Sequence, residues 1–231
     1  MKKQLILILI TFLSLSSYGQ TTTRPLNFSY AFLFREPGTE AQAINPNTSE
    51  TRLSSQAEIK VFLKPGPGVN IYLFLQDEQD ALYLLFPEKP GDLDCCYSFA
   101  QSYTYPPANS WTGFDQSQGK EKFLLLASTT RLRKLEELTT IYLPKLSRLW
   151  QSPDNIKLIQ ETAQARHSII EEIAKLRLEY SEYQSAKEKP VVIAGEFRDG
   201  EIPEGITATE VSANGFYAKT IRLVHGDNEK P

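Results

Sequence analysis

The chain has 231 residues, 41% of them hydrophobic and 23% charged, and this ordinary globular composition excludes a wholly disordered protein. Its 25 basic and 28 acidic residues give a formal net charge of −3, so no basic excess suggests binding to nucleic acid. Two cysteines and two histidines are too few for a disulfide scaffold and for most metal-dependent or hydrolytic sites, so we expect neither a cofactor nor a metal.

Residues 1–19 have the pattern of a secretory signal peptide. A start with two lysines precedes the apolar run Leu5–Leu13, and Ser17 and Gly19 stand at the −3 and −1 positions of a cleavage site before Gln20. The apolar run is shorter than the roughly 20 residues that a membrane-spanning helix needs. The sequence therefore predicts a periplasmic or secreted protein without a transmembrane anchor.

The first half of the mature chain is rich in predicted strands. After a polar tether over residues 20–25, Leu26–Phe34 has an aromatic side chain at every second position, which predicts a strand with one buried face. Glu58–Leu63 predicts a second strand, and Asn70–Leu75 and Ala81–Phe86 predict a hairpin with a short polar turn. The hairpin strands are apolar on both faces, so we expect them to be central strands with both faces covered.

Two helical segments are expected to provide the second cover of this sheet. Thr130–Leu143 has apolar residues at helical spacing, and we expect the helix to end at Pro144. Ser152-Pro153-Asp154 predicts the start of a long helix, with its serine as the N-cap and an end near Lys187. The helical insertion therefore spans about 130–188 and precedes the last strands.

The helix predicted from Pro153 carries two apolar stripes. The first contains Ile156, Ile159, Ala163, Ile170 and Ala174, and the second contains Ile169, Ile173, Leu176, Tyr180 and Tyr183. We expect the first stripe to cover the sheet. We expect the second, with Leu176, Tyr180 and Tyr183, to be an exposed face that meets an envelope protein partner or a second copy of the chain. The alternative is a helix that bends and packs both stripes on one body.

Three more strands are predicted after the helices. They are Val191–Phe197, Thr207–Ala213 and Phe216–Val224. Asn214-Gly215 separates the last two and is the favoured pair for a two-residue hairpin turn. The order of strands, helices and strands predicts an α+β fold, a mostly antiparallel β-sheet or sandwich with helices inserted before the last strands and covering one face. We expect a single domain over residues 26–226 and a disordered tail over 227–231.

Three groups of residues along the chain resemble a bacterial family. The first is Arg52–Phe62, Val69–Phe74 and Leu85-Phe86-Pro87, the second is Tyr105-Pro106-Pro107, Trp111, Phe114-Asp115, Gly119, Glu121 and Leu125–Ser128, and the third is Gly195–Arg198 with the closing strand through His225. In order and spacing they resemble the family called domain of unknown function 4384, over most of the mature chain. The resemblance implies an extracytoplasmic β-rich accessory domain, and it implies no reaction because the family supplies no catalytic set to transfer.

The neighbouring cysteines Cys95 and Cys96 are candidates for redox chemistry. Adjacent Cα atoms are about 3.8 Å apart, below the roughly 4.4–6.8 Å span of an ordinary disulfide, so a bridge between them would be strained and redox-active. The alternatives are two reduced cysteines packed as small hydrophobic residues, a bridge to another chain, or a metal ligand.

An aromatic segment over residues 97–114 is the candidate binding surface. Tyr103, Tyr105 and Trp111, with Asp115 nearby, offer flat faces and polar groups on which a sugar ring or a docking peptide can stack. The alternative is a long loop that is pinned to the sandwich by its own aromatic side chains.

These observations favour a non-enzymatic, extracytoplasmic protein-interaction module. The alternative is a small-ligand or glycan-binding domain that uses the segment 97–114. We predict no enzyme, because the chain contains no GxSxG, no phosphate-binding glycine loop and no CxxC. A deep pocket lined by the aromatic residues would favour the ligand-binding alternative, and an exposed apolar patch on the long helix would favour the interaction module.

Overall fold

The computed structural model describes residues 24–95, 97–99, 101–114, 118–181, 186–193, 196–197, 200–201 and 205–226. Its strands are β1 (Pro25–Arg35), β2 (Gln42–Ala43), β3 (Thr51–Leu53), β4 (Glu58–Pro65), β5 (Asn70–Gln76), β6 (Leu82–Phe86), β7 (Tyr103–Tyr105), β8 (Thr112–Gly113), β9 (Gly119–Ser128), β10 (Lys187–Ile193), β11 (Glu196–Phe197), β12 (Gly200–Glu201), β13 (Ile206–Asn214) and β14 (Phe216–His225). Its helices are α1 (Asp92–Cys95), α2 (Arg133–Gln151) and α3 (Ile156–Glu179). The predicted signal peptide and the predicted tail lie outside the described residues.

The strands form two sheets that pack on each other. The first sheet has the order β10-β13-β1-β4-β7, with β2 paired to β1 and β8 paired to β4. The second sheet has the order β3-β14-β9-β5-β6, and β11 and β12 form a separate two-stranded ribbon. Pairing within both sheets is antiparallel except between β3 and β14, which are parallel. The predicted α+β fold with a mostly antiparallel sandwich is confirmed.

A hydrophobic core lies between the two sheets. Phe28, Tyr30 and Phe32 of β1 all point into it, which confirms the face predicted from their spacing of two. The second sheet contributes, among others, Ile71, Leu73, Phe123 and Leu125. The rings of Phe32 and Phe123 meet edge to face with their centroids 5.2 Å apart, so the two inner faces interdigitate.

The helices cover the other face of the second sheet. Tyr72 and Phe74, which alternate with the core residues of β5, point towards α2 and α3. They meet a second group of buried side chains that includes Leu135, Tyr142, Ile169 and Ile173. β5 is therefore central and covered on both faces, as predicted, and the helices are the second cover. The prediction was wrong for β6, which is the edge strand of the second sheet and has half-buried residues at Tyr83 and Leu84.

The structure extends α2 through Pro144, where the sequence predicted its end. Proline removes one hydrogen bond of the helix ladder. Tyr142 and Leu146, which flank Pro144, are both buried beneath the helix. Burial of these two side chains, at roughly 1.5–3 kcal/mol each, offsets the roughly 3 kcal/mol that a proline costs in a helix interior.

The third helix is shorter than predicted at both ends. It begins at Ile156, where the Asn155 side-chain oxygen accepts a hydrogen bond from the Leu158 N–H at 3.1 Å. Ser152, the predicted N-cap, is instead the C-cap of α2, which continues to Gln151. The residues between Ser152 and Ile156 turn the chain into α3. No helix in the described part of the chain is long and apolar enough to span a membrane.

The two stripes of α3 have the opposite roles to those predicted. Ile169, Ile173 and Leu176 of the second stripe are buried against the sheet. Ile156 and Ile159 of the first stripe are exposed, Ile156 by 71%. The reason lies in the antiparallel packing of α3 beside α2, which turns the second stripe towards Phe216 and the rest of the sheet.

Asn214-Gly215 makes a turn between sheets and not a hairpin. β13 pairs with β10 and β1 in the first sheet, whereas β14 pairs with β3 and β9 in the second. Gly215 has a φ of 73°, which glycine adopts without strain, and its N–H donates to the Arg24 carbonyl. Both strands already have neighbours on each side, so the hairpin expected from the turn residues was wrong.

Candidate functional site

A cavity opens at one edge of the sandwich, where the two sheets end in β6 and β7. The chain passes from β6 through α1 to β7, so this connection closes the edge between the two outermost strands. The cavity has a volume of about 370 Å³. It is lined by Leu85, Phe86, Pro87, Glu88, Asp92, Tyr97, Tyr103, Thr104, Tyr105 and Pro107.

Three aromatic rings pack together in the wall of the cavity. The Tyr97 and Tyr103 rings are parallel to within 5°, with their centroids 5.6 Å apart. Phe86 contacts both of them, at 4.9 Å from Tyr103 and 5.8 Å from Tyr97. Because β6, β7 and the connection each supply one ring, the stack joins the edges of the two sheets.

The hydroxyl groups of two wall tyrosines are used within the protein. The Tyr97 hydroxyl donates to the Val69 carbonyl at 2.7 Å. The Tyr103 hydroxyl accepts from the Ser98 N–H at 2.6 Å and lies 3.2 Å from the Ser98 carbonyl, to which it donates. These bonds tie the connection to the sandwich, so both residues offer a ligand their ring surfaces and not their protons.

Burial raises the pKa of two wall tyrosines. Loss of hydration raises the pKa of Tyr97 far above its ordinary value, and the nearby Tyr103 adds to the effect. Burial also raises the pKa of Tyr105. Both shifts move ionisation further into the alkaline range.

The polar groups of the cavity are mainly acceptors. Glu88 is exposed and forms no hydrogen bond or ion pair with any residue that the structure describes. Asp92 accepts from the Lys89 N–H through Oδ2 at 2.9 Å, which leaves its second oxygen for other contacts. The buried Thr104 hydroxyl has no hydrogen-bond partner within the described chain. No lysine, arginine or histidine is among the lining residues.

An ion-pair network around Arg131 fixes the segment of the cavity that carries Asp92. Arg131 donates to both carboxylate oxygens of Glu136, at 2.6 and 2.5 Å, and Glu136 also accepts from the Tyr72 hydroxyl at 2.6 Å. The same guanidinium donates to the Pro90 carbonyl at 3.1 Å and to Asp94 at 2.5 Å. Since these two residues flank Asp92, the network positions the segment that carries the acidic groups.

Trp111 lies outside the cavity, contrary to the predicted grouping with Tyr103 and Tyr105. It packs on the outer face of the first sheet, where the Arg35 guanidinium is 4.5 Å from its ring centroid. The predicted Asp115 lies outside the described residues. Tyr103 and Tyr105 pack against the inner face of the first sheet, whereas Trp111 packs against its outer face.

Lys60 is a buried cation that sequence reasoning missed. It stands on the outer face of β4, 5.6 Å from the Trp111 ring centroid, and donates to the carbonyls of Ala108 and Ser110 at 2.5 and 3.0 Å. Burial lowers its pKa, and the charge of Arg35 adds to this effect. The sequence feature that could have identified it is a lysine inside the otherwise apolar run from Ile59 to Leu63. Its role is to hold the loop that follows the cavity residue Pro107.

The predicted interaction face is wrong in the described part of α3 and its end. Leu176 is only 8% exposed, and the Tyr180 ring stacks on Phe216 at 4.9 Å. Both belong to the packing between the helices and the second sheet. Tyr183 lies outside the described residues.

The cysteine pair is described in part. Cys95 is the last residue of α1, and Cys96 lies outside the described residues. The redox hypothesis for Cys95 and Cys96 therefore stays a prediction. The position of Cys95 places the pair on the connection that closes the cavity.

The remaining cavity residues were missed because they come from separate segments. Phe86 and Glu88 stood in a predicted strand and the turn after it, and Asp92 stood among other acidic residues. The topology that places β6 and β7 at the same edge brings them to Tyr103 and Tyr105. The signal in the sequence was limited to the aromatic segment 97–114, which contains Tyr97, Tyr103 and Tyr105.

Because comparisons with known proteins gave no match, the site is interpreted from its geometry. No family model, no curated protein and no solved structure matches the chain. The resemblance to the family called domain of unknown function 4384 therefore stays a prediction from the sequence. The candidate site rests on the cavity and its lining residues.

Proposed function

We propose that the chain is a non-enzymatic, extracytoplasmic binding domain that holds a small ligand, or one group of a larger ligand, in the aromatic cavity. The observation that carries this proposal is the cavity of about 370 Å³ between β6 and β7. Ligand sites in proteins are concave, mainly apolar, and typically about 300–1,000 Å³ in volume, with a few polar groups that orient the ligand. The lining of four aromatic rings and a few acceptors fits this description.

The packing of the wall supports a preformed site. Tyr97 and Tyr103 are held by hydrogen bonds to the backbone and by their mutual stacking. A ligand that enters meets rings whose positions are already set, so little side-chain freedom is lost on binding. The same bonds also pin the connection to the sandwich, so the open volume that the rings line is what favours ligand binding over a purely structural loop.

The protein-interaction module favoured by the sequence loses the surface that was predicted for it, because Leu176 and Tyr180 pack on the second sheet. The exposed apolar residues of α3 are Ile156 and Ile159 of the first stripe, and they keep the interaction module as the second candidate function. The ligand-binding alternative instead gains a cavity that contains two of its predicted residues, Tyr103 and Tyr105. A glycan is one possible ligand of such a wall, since sugar rings stack on aromatic faces.

The non-enzymatic part of the proposal rests on the chemistry of the lining. A nucleophilic hydroxyl needs a hydrogen-bonded base. Thr104, the one lining hydroxyl that is not a tyrosine, has no hydrogen-bond partner among the described residues. In this proposal the two carboxylates bind and orient a ligand.

The extracytoplasmic location rests on the N-terminal pattern of residues 1–19. The expected result is that protein recovered from the envelope fraction of an expressing bacterium has lost these residues. Intact-mass measurement, with an allowance for loss of ammonia from a new N-terminal Gln20, tests this. Envelope protein that keeps the first 19 residues would contradict the location.

Ligand-observed NMR with a library of small polar and aromatic compounds tests the binding function. Compounds that bind the purified protein are expected to lose binding to Tyr105→Ala, which removes a wall of the cavity. Trp150→Ala is the matched control, because it removes a large exposed ring outside the lining. Thermal melts confirm that both variants fold. Binding that is equal in the two variants, or no binding by any compound, would contradict the proposal.

A further inference from the structure

We propose that the cavity selects an organic cation, namely an alkylammonium or guanidinium group together with its apolar stem. This inference rests on the binding function proposed above and adds the chemical class of the ligand. Three independent features of the lining carry it: the sign of its charges, its excess of hydrogen-bond acceptors and the faces of its rings.

The charges of the lining are all of one sign. Glu88 and Asp92 are carboxylates, and no basic side chain lines the cavity. Arg131, which contacts this segment, is occupied by Glu136 and Asp94, and the exposed Lys89 between the two carboxylates is not among the lining residues. A carboxylate beside an apolar wall attracts a cation more strongly than it would in bulk water, and it repels an anion.

The hydrogen-bonding groups of the lining also favour a donor. The protons of the Tyr97 and Tyr103 hydroxyls are donated within the protein. The acceptors that remain are the Glu88 carboxylate and the second oxygen of Asp92. An ammonium group has three donors and no acceptor, and it can donate to both carboxylates.

The rings provide the third feature. The face of an aromatic ring carries negative charge density, and a cation within about 6 Å of the centroid is attracted to it. Phe86, Tyr97 and Tyr103 form the wall, with ring centroids 4.9 to 5.8 Å apart. The apolar stem of the ligand packs on Leu85 and the prolines of the lining.

Titration calorimetry with matched probes tests the class of ligand. The probes are n-butylammonium, n-butylguanidinium, neutral n-butanol and methyl β-glucopyranoside, each added to the purified protein at low ionic strength. We expect the two cations to bind at least about tenfold more tightly than the alcohol and the sugar. Raising the salt concentration should weaken the binding of the cations and leave that of the alcohol unchanged.

The carboxylates are tested by the double variant Glu88→Gln, Asp92→Asn. Asparagine keeps an oxygen for the Lys89 N–H, so the start of α1 is retained. Cation affinity is expected to fall about tenfold or more, whereas Glu40→Gln, which neutralises an exposed acid outside the lining, should leave it unchanged. An equal loss in both variants would overturn the inference, because it would reflect net charge alone.

Two arms separate the sources of such a cation. A short peptide with one central lysine, compared with the same peptide containing norleucine, represents the side chain of a protein, and n-butylammonium represents a free amine. Tighter binding of the lysine peptide assigns a protein ligand, and equal binding assigns a free amine. If the sugar or the alcohol binds as well as the cations and Tyr105→Ala abolishes it, the cation inference fails and the binding function stands. If no probe distinguishes Tyr105→Ala from the wild type, both fail.

Discussion

Two aromatic regions of the sandwich contain similar side chains and differ in what the rings contact. On the outer face of the first sheet, the Trp111 ring lies 4.5 Å from the Arg35 guanidinium and 5.6 Å from Lys60 Nζ. At the β6–β7 edge, the rings contact one another, and the lining contains carboxylates and no basic side chain. In the first region, Arg35 and Lys60 lie against the Trp111 ring. In the second region, aromatic rings and carboxylates surround an open volume.

This difference separates a structural role from a binding role. The Lys60 ammonium near Trp111 also bonds two loop carbonyls, so the ring, the cation and the loop stabilise one another. In the cavity, the lining contains two carboxylates and no basic side chain that could play the part of Lys60. Aromatic residues alone therefore do not mark a site; the availability of their faces does.

The largest effect is expected where the acidic side of the cavity is anchored. Arg131→Met removes the cation that bonds both oxygens of the Glu136 carboxylate, which is 7% exposed, and leaves it beside the exposed Arg133 at 3.8 Å, so the free energy of unfolding should fall by about 3–5 kcal/mol. Denaturant melts measure this. Lys134→Met, whose side chain is 56% exposed and pairs with the exposed Glu137, is the control and should change stability by less than about 0.5 kcal/mol. A similar small loss for both variants would show that the network does not position the segment.

The next largest effect on stability is expected at Lys60, the cation near the Trp111 ring. Lys60→Met removes the donor to the Ala108 and Ser110 carbonyls and should cost about 1–3 kcal/mol of unfolding free energy, because these acceptors lose a charge-assisted bond. Lys64→Met changes an exposed lysine on the same strand and is the matched control. Equal melts for the two variants would remove the contrast between the filled and the open region.

The third prediction concerns the stability of the protein at alkaline pH and the cavity residue Tyr97. Burial raises the pKa of Tyr97 above its unfolded value of about 10, so the folded protein holds this proton where the unfolded chain releases it. The corresponding stability is fully present below about pH 10 and is lost as the pH rises through the raised pKa. Melts of wild type and Tyr97→Phe from pH 8 to 11 should show a shallower decline for the variant. Parallel declines would indicate that Tyr97 is not buried in solution.

The smallest effect on stability is expected at the rim. Glu88 is exposed and has no described partner, so Glu88→Gln should change the free energy of unfolding by less than about 0.5 kcal/mol. The same substitution is expected to weaken cation binding measurably by calorimetry. A clear loss of stability without a change in affinity would make Glu88 a structural residue and not a ligand-binding one.

The local pattern of the strands was informative wherever one physical rule controlled the outcome. The spacing of Phe28, Tyr30 and Phe32 predicted one buried face, and the apolar character of both faces of β5 predicted two covers. The boundaries of the helices were less accurate. Packing around Pro144 outweighed the proline rule, and the extension of α2 displaced the start of α3 from Ser152 to Ile156.

The candidate site was predicted in part. Tyr103 and Tyr105 were identified because aromatic residues crowd their segment, and they do line the cavity. Trp111 was grouped with them by nearness in sequence, although it packs on the opposite face of its sheet with Arg35 and Lys60. Leu176 and Tyr180 were assigned to an exposed stripe, because two stripes of similar character left the choice of the buried one open.

The sequence by itself determined the fold class and the two-sided burial of the central strands, because alternation and apolar content act within one segment. Only the tertiary structure decided which stripe of α3 is buried, that Asn214-Gly215 turns between sheets, and that β6 and β7 end at the same edge. Each of these depends on contacts between residues far apart in the chain. The cavity is of this kind, since Glu88 and Tyr105 become neighbours only when the two sheets pack and the connection closes their common edge.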